Sequence, residues 1–128
     1  MIVLDTHAWL WWVSADAKLS RTAAKAIKSA KAIGICAISC LEVATAVAKG
    51  RIQLDRDPLE WMRQALALEG AELVAISPAI AVKATQLGRE FHGDPADRLI
   101  VATAILEAGI LVTKDQRIRD YPAVTTIW

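Results

Sequence analysis

An α/β fold, a three-layer sandwich of helices around a mainly parallel central sheet, is what this sequence predicts. Short apolar runs read as buried parallel strands, helix-length segments separate them, and cap or stop residues mark the joins. Parallel neighbours need crossover connections, and the crossovers are right-handed, so the helices must cover both faces of the sheet. Ligands in such folds bind in the crevice beyond the carboxyl ends of the strands.

Ile2-Val3-Leu4 reads as the first strand, followed at once by a helix from about Thr6 to Val13. Ser20 caps a second helix, Arg21 to about Ala32, with Lys25, Lys28 and Lys31 at helical spacing on one exposed stripe. Ile33 to Ala37 is the second strand. Ser39-x-x-Glu42 reads as a capping box that opens a helix, and Gly50 ends it. Asp57-Pro58 starts the next helix, with proline at its first position, and Gly70 stops that one. Glu72 to Ile76 is the third strand, and Ser77-Pro78 opens a helix to about Leu87. A loop from Gly88 to Gly93 leads to Asp94-Pro95, the start of a helix running to about Glu107 before Gly109. Ile110 to Thr113 is the fourth strand, Lys114 to Arg119 a loop with one helical turn, and Val124 to Ile127 an edge strand.

The 128 residues suit one domain, 1–128, since domains most often span roughly 100–150 residues. A hydrophobic fraction of 55% exceeds the roughly 45–50% of soluble domains, which leaves apolar surface for a partner and points to a homodimer. With 15 basic and 14 acidic residues the net charge is +1, so any nucleic-acid contact must be local rather than a global basic field. Cys36 and Cys40 are too few for a disulfide framework or a four-cysteine zinc site and read as reduced core residues. The first residues lack the pattern of a signal peptide, and no apolar run reaches the roughly 18 residues of a membrane span, so a cytoplasmic protein with no membrane contact is expected.

On that map Asp5 closes the first strand, Glu42 falls in the first turn after the second, Asp97 in the first turn after Pro95, and Asp115 just after the fourth strand. All four belong at one edge of the sheet. Crowded carboxylates raise one another's pKa values unless a cation neutralises them, and an oxygen-only cluster suits Mg²⁺ or Mn²⁺. Singly, Glu42 and Asp94 also read as cap residues and Asp115 as a turn residue. It is the joint pattern that points to a metal site.

These residues resemble a known family. Ile2-Val3-Leu4-Asp5-Thr6-His7, Ser39-x-x-Glu42, Asp94-Pro95-Ala96-Asp97-Arg98 and Leu111-Val112-Thr113-Lys114-Asp115 look like the acidic motifs of PIN domains, in particular of VapC toxins, over nearly the whole chain. The resemblance implies a PIN-like fold and a metal-dependent ribonuclease with Asp5, Glu42, Asp97 and Asp115 as catalytic, metal-binding acids. Asp94 corresponds to a fifth acid in part of the family. Also implied are Mg²⁺ or Mn²⁺, an RNA substrate such as transfer or ribosomal RNA, a homodimer, and a cognate VapB-like antitoxin.

The chemistry expected is phosphodiester hydrolysis at a metal held by the acids. Arg98, Lys114, Arg117 and Arg119 flank Asp97 and Asp115 and are candidate RNA contacts. Thr6 and Thr113 can orient a carboxylate or a water. Neither His7 nor His92 reads as an acid or base, and Trp9, Trp11 and Trp12 read as core or interface residues. Two alternatives are a Mg²⁺-dependent phosphotransferase or receiver-like domain and an inactive binding module. Phosphatases of the haloacid dehalogenase type carry an Asp two residues after the nucleophile, where this chain has His7.

Overall fold

In the computed structural model, which describes residues 1–128 apart from the side chain of Ala108, five parallel strands lie in the order β3-β2-β1-β4-β5. They are β1 (Ile2–Leu4), β2 (Ile33–Cys36), β3 (Ala71–Val74), β4 (Ile110–Val112) and β5 (Thr125–Ile127). The helices are α1 (Thr6–Val13), α2 (Arg21–Ser29), α3 (Ala37–Ala48), α4 (Pro58–Leu66), α5 (Pro78–Thr85), α6 (Pro95–Thr103) and α7 (Gln116–Arg119). The chain moves outward from β1 to β3 and then returns to lay β4 and β5 on the other side of β1. This reversal opens a crevice at the carboxyl ends of β1 and β4.

Successive strand residues point to opposite faces, and the core divides accordingly. Ile2, Leu4, Ile33, Ile35 and Val112 join Trp9, Ile27 and Trp61 in one cluster, whereas Val3, Cys36 and Leu111 join Ile100, Val101 and Ile118 in another. These are the two interfaces of a three-layer sandwich. Trp9 is wholly buried and meets Trp61 edge-on at 5.0 Å between centroids. Gly34 leaves room for the packing beside it, because a Cβ there would meet Met1 Sδ at 3.0 Å and methyls of Val3 and Val74 at 3.3 Å.

Several elements are shorter than the sequence predicts. α2 stops at Ser29 because Ala30 turns extended and Ala32 gives its carbonyl to Ile2 N (3.0 Å). Lys31 is therefore off the helix that carries Lys25 and Lys28. β3 ends at Val74, opposite Cys36, because Ala37 already begins α3 and leaves no strand to pair with Ile76. Past Thr103, α6 loosens into a π-helical turn, Ala104–Ala108, which Gly109 ends at φ +77°. Among the described residues, no helix is long and apolar enough to cross a membrane.

Candidate metal centre

The crevice at β1 and β4 is a cavity of about 740 Å³ whose walls include Asp5, Glu42, Asp94, Asp97 and Asp115. Asp5 leaves β1 as the N-cap of α1. Its Oδ1 accepts from Ala8 N (2.8 Å) and its Oδ2 from the hydroxyl of Thr113, at the end of β4. Thr113 Oγ1 in turn accepts from Asp115 N (3.0 Å), so one buried hydroxyl braces two acids. Asp115 caps α7 through Arg117 N (2.9 Å) and pairs with the Arg117 guanidinium (3.2 Å), which also lies 3.9 Å from Asp97. Asp94 caps α6 through Ala96 N (2.9 Å) and Asp97 N (3.3 Å) and stays exposed at the rim. Asp97, three residues on, turns its carboxylate inward to His92 Nε2 at 2.6 Å.

Glu42 reaches the cavity by a different route from the expected capping box. α3 begins at Ala37, directly off β2, and its N-cap Cys36 makes no side-chain cap bond. Ser39 thus lies inside the helix, fully buried, with its hydroxyl 3.0 Å from Thr6 Oγ1. Glu42 sits in the second turn rather than the first and accepts from the Thr6 hydroxyl. Thr6 and Thr113 each hold one carboxylate of the cluster.

Burial pushes the Asp5, Glu42 and Asp97 carboxyls above the ordinary carboxylate range, and neighbouring acid charges add to the rise. Their hydrogen bonds offset only part of it. Asp115 moves the other way. Burial would raise it, but the hydrogen bonds and charge of Arg117 outweigh that and hold it low. Most of the cluster therefore lacks a countercharge, which a divalent cation would supply. One donor atom from each of His92, Asp97 and Asp115 lies within 4.8 Å of the others, and this nitrogen and oxygen donor set fits a small divalent ion.

The predicted cations separate. Lys114 and Arg117 line the cavity, and Lys114 Nζ stands 5.9 Å over the Trp11 ring. Arg119 is exposed on α7 and is not part of the cavity wall. Arg98 turns away from the acids and donates to the carbonyls of Ala84 (3.2 Å), Phe91 (2.9 Å) and His92 (3.0 Å), clamping the link between α5 and α6. Trp9 and Trp12 belong to the core, while Trp11 lines the cavity beside His7 and Trp128. His7 is exposed and offers no carboxylate two residues after Asp5. His92 and Arg51, both at the site, lie in links without periodicity, where sequence pattern is silent.

Comparison with known proteins bears on this arrangement. The profile of the PIN domain matches residues 2–124. The chain is 41% identical over 129 residues to Ribonuclease VapC22 of Mycobacterium tuberculosis (strain ATCC 25618 / H37Rv), covering 99% of this chain and 98% of that protein. Among solved structures, VapBC2 from Rickettsia felis bound to a DNA fragment from its promoter superposes with a TM-score of 0.72 at 19% identity, covering 98% of this chain and 97% of that one. A toxin–antitoxin complex from Klebsiella pneumoniae superposes with a TM-score of 0.67 at 24% identity and the same coverage. At those identities the structures speak for the fold alone. With a profile spanning nearly all its residues and a full-length relative at 41% identity, this chain belongs to the PIN domain family.

Proposed function

We propose that the chain is a single-domain, metal-dependent endoribonuclease that acts in the cytoplasm as the toxin of a toxin and antitoxin pair. The observation that carries this reading is the convergence of Asp5, Asp97 and Asp115 on the crevice between β1 and β4, with Thr113 bracing two of them. Full-length likeness to a protein named as a ribonuclease supports the substrate class. Asp5, Asp97, Asp115 and Glu42 hold the metal, Mg²⁺ or Mn²⁺. When bound, it supplies the Lewis-acid charge that phosphodiester hydrolysis needs.

The remaining steps belong to the chain's own groups. Thr113 and Ala8 N fix both oxygens of Asp5, Thr6 orients Glu42, and these bonds set the cluster before substrate arrives. Lys114, Arg117 and Arg51 stand on the cavity wall and draw the RNA backbone toward an otherwise negative site, in keeping with a net charge of only +1. Trp11 offers a ring face to a base at the same wall. The partner that blocks this cavity is a VapB-like antitoxin, in line with the toxin–antitoxin complexes among the structural neighbours. The chain pairs as a homodimer, in keeping with its 55% hydrophobic fraction and with exposed apolar side chains such as Leu73 and Val82.

Incubation of the purified protein with transfer and ribosomal RNA, in Mg²⁺, Mn²⁺ or EDTA, tests the reading. Cleavage that needs the metal and disappears in Asp5→Asn is the expected result. Cleavage in EDTA, or undiminished cleavage by the variant, would overturn it.

A further inference from the structure

His92 is held from two directions, neither of which involves the acids. Its ring stacks on Phe91 with centroids 4.4 Å apart, and Phe91 is buried edge-on against Tyr121 at 5.1 Å. Its carbonyl accepts from Arg98 Nε at 3.0 Å. The imidazole is thereby presented to the cluster on a fixed support, with Nε2 2.6 Å from Asp97 Oδ2. Donor atoms of His92, Asp97 and Asp115 lie within 4.8 Å of one another. A divalent ion with bonds of about 2.1–2.4 Å spans such a group.

We propose that His92 is a nitrogen ligand of the metal centre, which makes the site a mixed imidazole and carboxylate one. The proposal rests on the metal-dependent reading above. Ligation uses the tautomer with its proton on Nδ1, so that the Nε2 lone pair faces the ion in place of the hydrogen bond to Asp97. An imidazole favours Mn²⁺ and the later first-row ions over Mg²⁺, which prefers oxygen donors. His92 therefore tilts the site toward Mn²⁺.

Pulsed electron paramagnetic resonance on the Mn²⁺-loaded full chain tests this. The expected spectrum shows the coupling of a directly bound imidazole ¹⁴N, changed to a ¹⁵N pattern when the histidines carry ¹⁵N. Only two histidines are present, and His7 also lines the cavity, so the two variants separate them. The coupling is expected to persist in His7→Gln and vanish in His92→Gln. Calorimetric titration of His92→Gln is expected to show Mn²⁺ affinity reduced about tenfold or more, with a much smaller loss for Mg²⁺. Mn²⁺ binding to the wild-type chain without nitrogen coupling would overturn the proposal and leave the metal reading standing, with His92 only bonded to Asp97. Absence of Mn²⁺ binding would overturn both. The wild-type spectrum decides the matter even if His92→Gln does not fold.

Discussion

Thr113 donates its hydroxyl proton to Asp5 across the junction of β1 and β4, joining residues 108 positions apart. The same oxygen accepts from Asp115 N, so Thr113→Val strips a donor from one acid and an acceptor from the amide of another. A buried polar group left unpaired costs about 1–3 kcal/mol. The expected result is a lower melting temperature together with a fall in cleavage rate, both largely restored in Thr113→Ser. A valine variant as active as the wild type would show that the brace does not matter.

Removing a carboxylate from a crowded site weakens its hold on a cation while relieving repulsion. Asp5→Asn is expected to abolish RNA cleavage at millimolar Mg²⁺ while its melting temperature holds or rises. Retained cleavage would exclude Asp5 from the centre.

Asp94 and Asp97 share one helical turn but do different work. Asp94 bonds two backbone N–H groups as an exposed cap, whereas Asp97 faces the cavity and His92. Asp94→Ala should cost about 1 kcal/mol of stability and keep measurable cleavage. Asp97→Asn should lose most activity with little change in melting temperature. An inactive but fully stable Asp94→Ala would move Asp94 into the metal site.

The acids also set a pH signature in the metal-free protein. Asp5, Glu42 and Asp97 have folded pKa values raised by burial. Their contribution to stability is complete below the unfolded values near about 4 and is lost as pH rises through the raised folded ones. Asp115 is lowered, so its opposite contribution is lost only as pH falls below that range. In EDTA the melting temperature is therefore expected to fall as pH rises above the unfolded carboxylate values, and Mg²⁺ or Mn²⁺ should recover it at the upper end. A flat profile with no metal effect would contradict the electrostatics described.

Leu73 on edge strand β3 and Val82 on α5 are each 54% exposed, and either is apolar surface of the kind that a stable homodimer covers. Light scattering at micromolar concentration, without antitoxin, is expected to report a dimer and to report a monomer for Leu73→Lys combined with Val82→Glu. A monomeric wild-type chain would overturn the homodimer.

Asp5, Asp97 and Asp115 were legible in place because each follows a strand or opens a helix, where short apolar runs and Asp-Pro signals mark position in the sheet. Glu42 was legible in place but not in setting. Its spacing from Ser39 imitates a capping box, yet the chain turns helical at Ala37 and gives the hydroxyl of Ser39 to the neighbourhood of Thr6. The strand order could not be read, because sequence shows which segments are strands but not on which side of β1 the fourth one returns. His92 was hidden for a tertiary reason. Its place depends on Arg98 folding back over the α5–α6 link, and neither residue carries a periodic signal for that contact. Arg98 itself looked like a substrate cation because adjacency to Asp97 in sequence is a rotation of about 100° on a helix.

Four of the five tryptophans sort into two optical environments, and Trp12 packs at the edge of the first core cluster. Trp9 and Trp61 form a buried edge-on pair in the core, and among the described residues Trp9 Nε1 has no hydrogen-bond acceptor. Trp11 and Trp128 lie 5.8 Å apart, with Trp11 on the cavity wall under the Lys114 ammonium. The chain thus carries two intrinsic probes of different events. Near-ultraviolet circular dichroism from the first pair follows the integrity of the sandwich, while emission from the second answers to whatever enters the crevice. A paramagnetic ion would quench the second pair first, so occupancy and unfolding can be followed separately in one unlabelled sample.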